Sequence, residues 1–237
     1  DDNLCLQSSS LPVNDVHISN CSFSSVCAAI RIGLKSIGSI SDVHISHCSM
    51  KNVWREGIKI ECSEGGNISD INIQDITMND VSRPIFILLN NRFEPDDLGS
   101  SLELDHIPEI GTMSDIIISD IIASDSDEMR NTHYRFDDDV MGSPKFAGIR
   151  IDAEKNHPIR NLTLRNISYK FIGGVKLSDI PNEYPEVIDK LIDCDTLSSE
   201  NYYPDWSRAS FMDIRNIIGL NVRNIQCFAI YPDERRG

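Results

Sequence analysis

One octet constrains the fold of this 237-residue chain more than any other feature. It is Val43-His44-Ile45-Ser46-His47-Cys48-Ser49-Met50, and it occurs in six variants starting at 16, 43, 71, 116, 162 and 220. The shared pattern is apolar, any, apolar, any, Asn/Asp/His, Cys/Ile, any, and then usually an apolar residue. Asp precedes four copies, Asn161 the fifth and Gly219 the sixth. The first half alternates, as a strand with one buried face does. The polar fifth residue breaks that alternation, and Asn and Asp tolerate left-handed backbone and bond their own chain, so it marks a bend. The apolar residue after it starts a second short strand that faces the same core.

A strand, a bend and a strand, repeated, make one rung of a solenoid. The starts are 27, 28, 45, 46 and 58 residues apart, as differences of the positions above. The two short steps fit single rungs; the longer ones fit either two rungs or one rung with a long loop. Rungs stacked ~4.8 Å apart put like residues on like. Val16, Val43, Ile71, Ile116, Leu162 and Leu220 are expected to form one interior column. Cys21, Cys48, Ile76, Ile121, Ile167 and Ile225 form another. The expected fold is all-β, a parallel β-helix forming a single domain over residues 1–237, with a β-sandwich of short strands as the alternative. The chain opens on Asp1-Asp2-Asn3-Leu4-Cys5-Leu6, already a strand, which would expose the core cross-section. Such a solenoid is expected to have further N-terminal rungs.

Composition narrows the partners. A net charge of -15 argues against nucleic acid and against an anionic membrane surface. No apolar run approaches the length of a membrane-spanning helix. Seven cysteines without a CxxC read as small buried hydrophobes, although Cys21 and Cys48 share a column in which a disulfide is conceivable. Four N-x-S/T sequons, at Asn20, Asn67, Asn161 and Asn166, fall mostly at rung turns and read as turn chemistry. His17 and His44 lie one rung apart between inward positions, an exposed ladder with no third ligand at metal spacing. Asp137-Asp138-Asp139 lacks the spaced oxygens of a calcium loop. No metal site and no cofactor are expected.

Between the octets, Cys27–Ser36 and Arg55–Glu61 also alternate, with Arg31, Lys59 and Glu61 facing away from the core. Pro84-Ile85-Phe86-Ile87-Leu88-Leu89 reads as a buried strand. Residues 93–113, 124–146 and 173–210 read as long loops that wall a groove. Tyr202, Tyr203 and Trp206 in the third could stack a sugar or pin the loop. Pro232–Gly237 reads as a frayed end.

The chain resembles glycoside hydrolase family 28, the polygalacturonase-like enzymes, over what looks like their C-terminal two thirds. Asp1-Asp2-Asn3-Leu4-Cys5-Leu6 resembles the family's Asp-Asp strand. Ala29-Ile30-Arg31-Ile32-Gly33 falls where the family has Gly-His-Gly followed by an Ile-Gly strand. Gly57-Ile58-Lys59-Ile60-Glu61 falls on its Gly-apolar-Arg-Ile-Lys strand. Pro84–Ile87, His157–Thr163 and Asp213-Ile214-Arg215 are similar to segments of bacterial members. The resemblance implies a right-handed parallel β-helix of the pectin-lyase-like kind, secreted or periplasmic, acting on a polysaccharide or oligosaccharide.

The family hydrolyses glycosidic bonds with inversion, using one protonated carboxyl and one carboxylate that activates water. By resemblance Asp1 is the general acid and Asp2 belongs to the water-activating pair, while Arg31, Lys35, Lys59, Glu61 and Arg92 lie at the substrate. Three departures stand out. The third carboxylate would precede residue 1, the motif histidine falls on Ala28, and the Arg-x-Lys pair falls on Lys59 and Glu61. Glu61 in place of a cation disfavours a uronate carboxylate. The resemblance therefore implies either a different sugar, neutral or of rhamnogalacturonan type, or a non-catalytic carbohydrate-binding β-helix. A lyase or epimerase is a further alternative, although neither a calcium site nor a suitably placed arginine is evident.

Overall fold

The structure is a computed structural model and describes residues 2–93, 106–126, 147–180 and 207–236. The chain is a right-handed parallel β-helix. Its strands are β1 (Leu4–Leu6), β2 (Val16–Ser19), β3 (Ser22–Ser25), β4 (Ile30–Leu34), β5 (Ile40–Cys62), β6 (Asn67–Leu89), β7 (Thr112–Ser124), β8 (Ile149–Ala153), β9 (Ile159–Gly173), β10 (Met212–Ile214) and β11 (Ile217–Tyr231). All strand pairings among the described residues are parallel. The long strands β5 and β6 each run through an octet and on into a further segment, turning at their bends.

The octets stack in the register expected from their spacing. Val16 lies opposite Val43, Val43 opposite Ile71, Ile71 opposite Ile116, Ile116 opposite Leu162 and Leu162 opposite Leu220. The second column runs Cys48, Ile76, Ile121, Ile167, Ile225 in the same way. The steps of 45, 46 and 58 residues, from the starts at 71, 116, 162 and 220, are therefore each one turn of the coil. The added length falls between strands that remain neighbours. Loop closure grows only logarithmically with length, so such insertions cost little.

Two residues per octet hold left-handed backbone. The residue before it (Asp15, Asp42, Asp70, Asp115, Asn161) has φ between 54° and 58°, and Gly219 has 78°. The fifth residue (Asn20, His47, Asp75, Asp120, Asn166, Asn224) has φ between 51° and 58°. Short polar side chains suit this region because they bond locally. They also bond between rungs: Asn161 Nδ2 donates to Asp115 Oδ1 (2.9 Å), Asn166 Nδ2 to Asp120 Oδ1 (2.8 Å) and Asn224 Nδ2 to Asn166 Oδ1 (3.0 Å). Three sequon asparagines, Asn20, Asn161 and Asn166, are thus bend residues. His17 and His44 are exposed and stack at 5.0 Å and 8°. Cys21 and Cys48 are free thiols.

Interior columns of Ile, Val and Leu fill the core, with Ile30, Ile45, Ile73, Ile118 and Leu164 fully buried. Each such side chain contributes roughly 1.5–3 kcal/mol. Among the described residues, the inward side chains of the first and last rungs are less covered than those between them: Leu4, Leu6, Val16 and Ile18 at one end, Leu220 and Val222 at the other.

The C-terminal residues differ from the frayed end expected. Arg235 is buried and forms a two-pronged pair with Asp233 (2.9 and 2.8 Å). Glu234 N donates to Val175 O at 3.0 Å, and Ser210 N to Arg236 O at 2.8 Å. Burial pushes the Asp233 carboxyl up, but its bonds from Arg235 outweigh that and hold it below its ordinary value. The pairing of Asp233 with Arg235 is invisible to net-charge reasoning, which sees only a polar terminus.

Candidate functional site

A third segment in each turn, between one octet and the next, builds a second ladder of the same continuous sheet. It stacks β1, β4, residues 58–62 of β5, residues 85–89 of β6, β8 and β10. Its inward columns are apolar: Leu4, Ile30, Ile58, Ile85, Ile149, Met212 form one, and Leu6, Ile32, Ile60, Ile87, Ile151, Ile214 the other. Its outward column reads Cys5, Arg31, Lys59, Phe86, Arg150, Asp213. The period-two alternation of these short strands sends those residues away from the core. Cys5 at one end is exposed and Asp213 at the other part-buried, but the residues between them are covered. Lys59 and Glu61 are 0% exposed, Phe86 and Arg150 1%, and Arg31 8%.

The candidate residues on this face form one connected set. Asp2 accepts from the backbone N–H of Ala28 (3.0 Å) through one oxygen and from Arg31 (3.2 Å) through the other. Arg31 turns its Nε and Nη2 to Glu61, at 2.9 and 2.8 Å. Glu61 reaches Lys59 at 3.3 Å through its second oxygen. Lys59 and Arg83 stand 5.5 and 5.4 Å from the Phe86 ring centre, and Arg83 pairs with Glu56 at 3.5 Å. Glu61 thus lies between two cations. A buried carboxylate needs such partners, because burying an isolated charge costs several kcal/mol.

Close backbone contact fixes the geometry. Gly33 lies opposite Glu61 and holds φ 89°, and a Cβ there would come within 1.8 Å of the Glu61 carbonyl oxygen. Only glycine allows β4 to approach that closely.

Farther along the same face lies a second charged set. Arg215 grips Asp213 with two bonds of 3.0 and 3.1 Å and approaches Asp152 at 4.0 Å. Burial lowers the pKa of Arg215, and the Asp152 carboxylate partly restores it. Sequence reading missed Glu56, Arg83, Arg150 and Asp152. Their signal was polar residues at alternate positions of otherwise apolar segments, as in Ile149-Arg150-Ile151-Asp152-Ala153.

The other candidates are placed apart from the network. Lys35 is exposed just beyond β4. Arg92 is half-buried, pairs with Glu64 and stands 5.0 Å from the Phe93 ring centre. Asp1, Asp137–Asp139, Tyr202, Tyr203 and Trp206 lie outside the described residues. No group of three or more His, Cys, Asp or Glu side chains among the described residues is arranged to hold a metal ion.

No protein-family model matches the sequence, and no curated protein sequence matches it. Among solved structures, the chain is similar to a family 28 exopolygalacturonase from Yersinia enterocolitica, with TM-score 0.55 and 10% identity. The superposition covers 100% of this chain and 36% of that enzyme, so the chain spans about a third of its length. At that identity the likeness shows the parallel β-helix fold alone.

Proposed function

We propose that this chain is the β-helical part of a glycosidase that cleaves O-glycosyl bonds in a pectin-like polysaccharide, of polygalacturonase or rhamnogalacturonan type. The observation that carries the reading is Asp2. It is the part-exposed end of a chain of charges running through Arg31 and Glu61 to Lys59. Inverting hydrolysis needs two carboxyl groups, one to protonate the leaving oxygen and one to activate water. In this reading Asp2 belongs to the water-activating pair and Asp1 is the acid. Arg31 orients Asp2, and the buried Lys59 and Glu61 position Arg31. Lys35 is exposed to meet the sugar, and Arg92 would do so while paired with Glu64. A secreted or periplasmic location accompanies this reading. The test is release of reducing ends from a panel of pectic polysaccharides by the full-length protein. Release that falls at least a hundredfold in Asp2→Ala is the expected result, and no release from any substrate refutes the reading.

A second reading is a carbohydrate-binding solenoid without catalysis. Its specific support is that both oxygens of Asp2 are already engaged, and that Ala28 supplies a backbone N–H where the resembled family has a histidine. It predicts saturable glycan binding that survives Asp2→Ala.

A further inference from the structure

The second interior column changes residue type along the coil. It holds isoleucine at 76, 121, 167 and 225, and cysteine in the two rungs before, at 21 and 48. Ser22 lies opposite Ser49 in the ladder of β3 on β5, and Ser49 N donates to Cys21 O at 2.9 Å. The two cysteines therefore face each other across one strand spacing of ~4.8 Å. Bridged cysteines have Cα atoms roughly 4.4–6.8 Å apart. Asn20 and His47, just before them, hold the same left-handed backbone, with φ 58° and 54°, so both side chains leave the chain in the same direction. Both thiols donate to the carbonyl two residues back, Cys21 to Ser19 at 3.4 Å and Cys48 to Ser46 at 3.2 Å. The pair after them already meets tip to tip, with Ser22 Oγ and Ser49 Oγ at 2.8 Å. The other described cysteines have no such partner. Cys5 faces Arg31, Cys62 faces Leu34 and Leu89, Cys227 faces Tyr169, and Cys27 accepts from Arg55.

A reagent can reach this pair. A groove of about 410 Å³ opens at the bend, lined by Cys21 and Cys48 together with Ser22, Ser49, His47 and Asp75. Both thiols are free; Cys21 is part-exposed and Cys48 is 3% exposed behind it. Burial pushes the Cys48 thiol up, and the Cys21 side chain beside it pushes the same way. Cys21 is therefore suited to the first attack on a reagent and Cys48 to the second.

We propose that Cys21 and Cys48 form a dithiol site that a small-molecule disulfide converts into a bridge between the first two octets. The Cys21 thiolate attacks one sulfur of the reagent and releases one thiol; Cys48 then attacks the Cys21 sulfur of the mixed disulfide and releases the second. One S–S bond breaks and one forms, and two electrons and the two thiol protons pass to the reagent. The bridge closes residues 21–48, one whole turn of the coil, into a covalent ring. Ala28 and Arg31, which both hold Asp2, lie within that ring. The site does not depend on the hydrolase reading.

The test is incubation of the native full chain with oxidised glutathione, followed by alkylation of the remaining thiols and peptide mapping by mass spectrometry. The expected product is a Cys21–Cys48 cross-link with no glutathione retained on either residue. The melting temperature should rise by roughly 5–10 °C in the bridged form and fall back on reduction. Cys48→Ile introduces the residue that the column holds in the next rung, so the core stays filled. This variant should keep one glutathione on Cys21 and show no gain in melting temperature. A parent that is alkylated at both cysteines, that keeps glutathione on Cys21 beside a free Cys48, or that pairs either one with another cysteine overturns the proposal. An equal gain in melting temperature in Cys48→Ile overturns it too.

Discussion

The octet face and the third-strand face belong to the same turns, share one core and project side chains outward with the same period, yet they handle polar groups in opposite ways. On the octet face the outward residues are mostly in water, and like stacks on like: His17 on His44, Asn161 on Asp115, Asn166 on Asp120. On the third-strand face nothing repeats. Arg31, Lys59, Phe86, Arg150 and Asp213 follow one another in a single column, and most of them are buried. A ladder of like groups serves stacking, because each rung offers its neighbour the same bond. A buried, non-repeating set of charges serves one place, because every member needs the particular partner beside it. The face that departs from the repeat is the one that holds the candidate site.

That contrast can be broken most directly at Glu61. Glu61→Ala leaves Arg31 and Lys59 buried without their shared carboxylate and should cost about 3–5 kcal/mol. Urea unfolding of parent and variant measures it, and a loss below about 1 kcal/mol would mean that water reaches this face. On the octet face, Asn166→Ala removes two rung-to-rung bonds and puts a Cβ-branched-free but unfavoured residue into left-handed backbone. The expected loss is about 2 kcal/mol. Asn166→Gly should recover the backbone part, because glycine adopts that conformation freely.

The smallest effect is in pH dependence, with octet-face carboxylates at the acid end of the scale and a core thiol beneath the third-strand face at the alkaline end. Bonds from Ser114 and Asn161 hold the Asp115 carboxyl below its ordinary value, and bonds from Asn166 and Ser119 do the same for Asp120. A depressed carboxyl stabilises the fold above its unfolded pKa, and that contribution is lost as pH falls through the folded value. Burial pushes the Cys62 thiol, at the end of the third-strand segment, up to about 11. Its contribution is complete below the unfolded thiol value and is lost as pH rises toward 11, about 1 kcal/mol by pH 10. Unfolding free energies measured across pH in Asp120→Asn and Cys62→Ala should separate the two: the first flattens the acid limb and the second the alkaline limb.

The repeat was legible in the sequence because it is local. Strand alternation and a left-handed Asn or Asp at a fixed place are written into eight consecutive residues, and parallel stacking then puts Val16, Val43 and Ile71 in file. Arg31, Lys59 and Glu61 could be placed on an outward face for the same reason. Other features depend on groups distant in sequence. The long steps leave two rungs and one rung equally compatible with the spacing, and only the pairing of Ile71 with Ile116 makes them single turns. The terminal Asp233 and Arg235 look like solvated charges until Val175, Ser207 and Ser210 pack around them.

The sequence by itself therefore determined the coil, its core columns and its bends, since each is set by side-chain chemistry within one octet. Only the tertiary structure decided which outward charges are removed from water and which partner each one finds. Arg31 lies 29 residues from Asp2 and 30 from Glu61 along the chain, and a single guanidinium joins them because β4 runs between β1 and the end of β5.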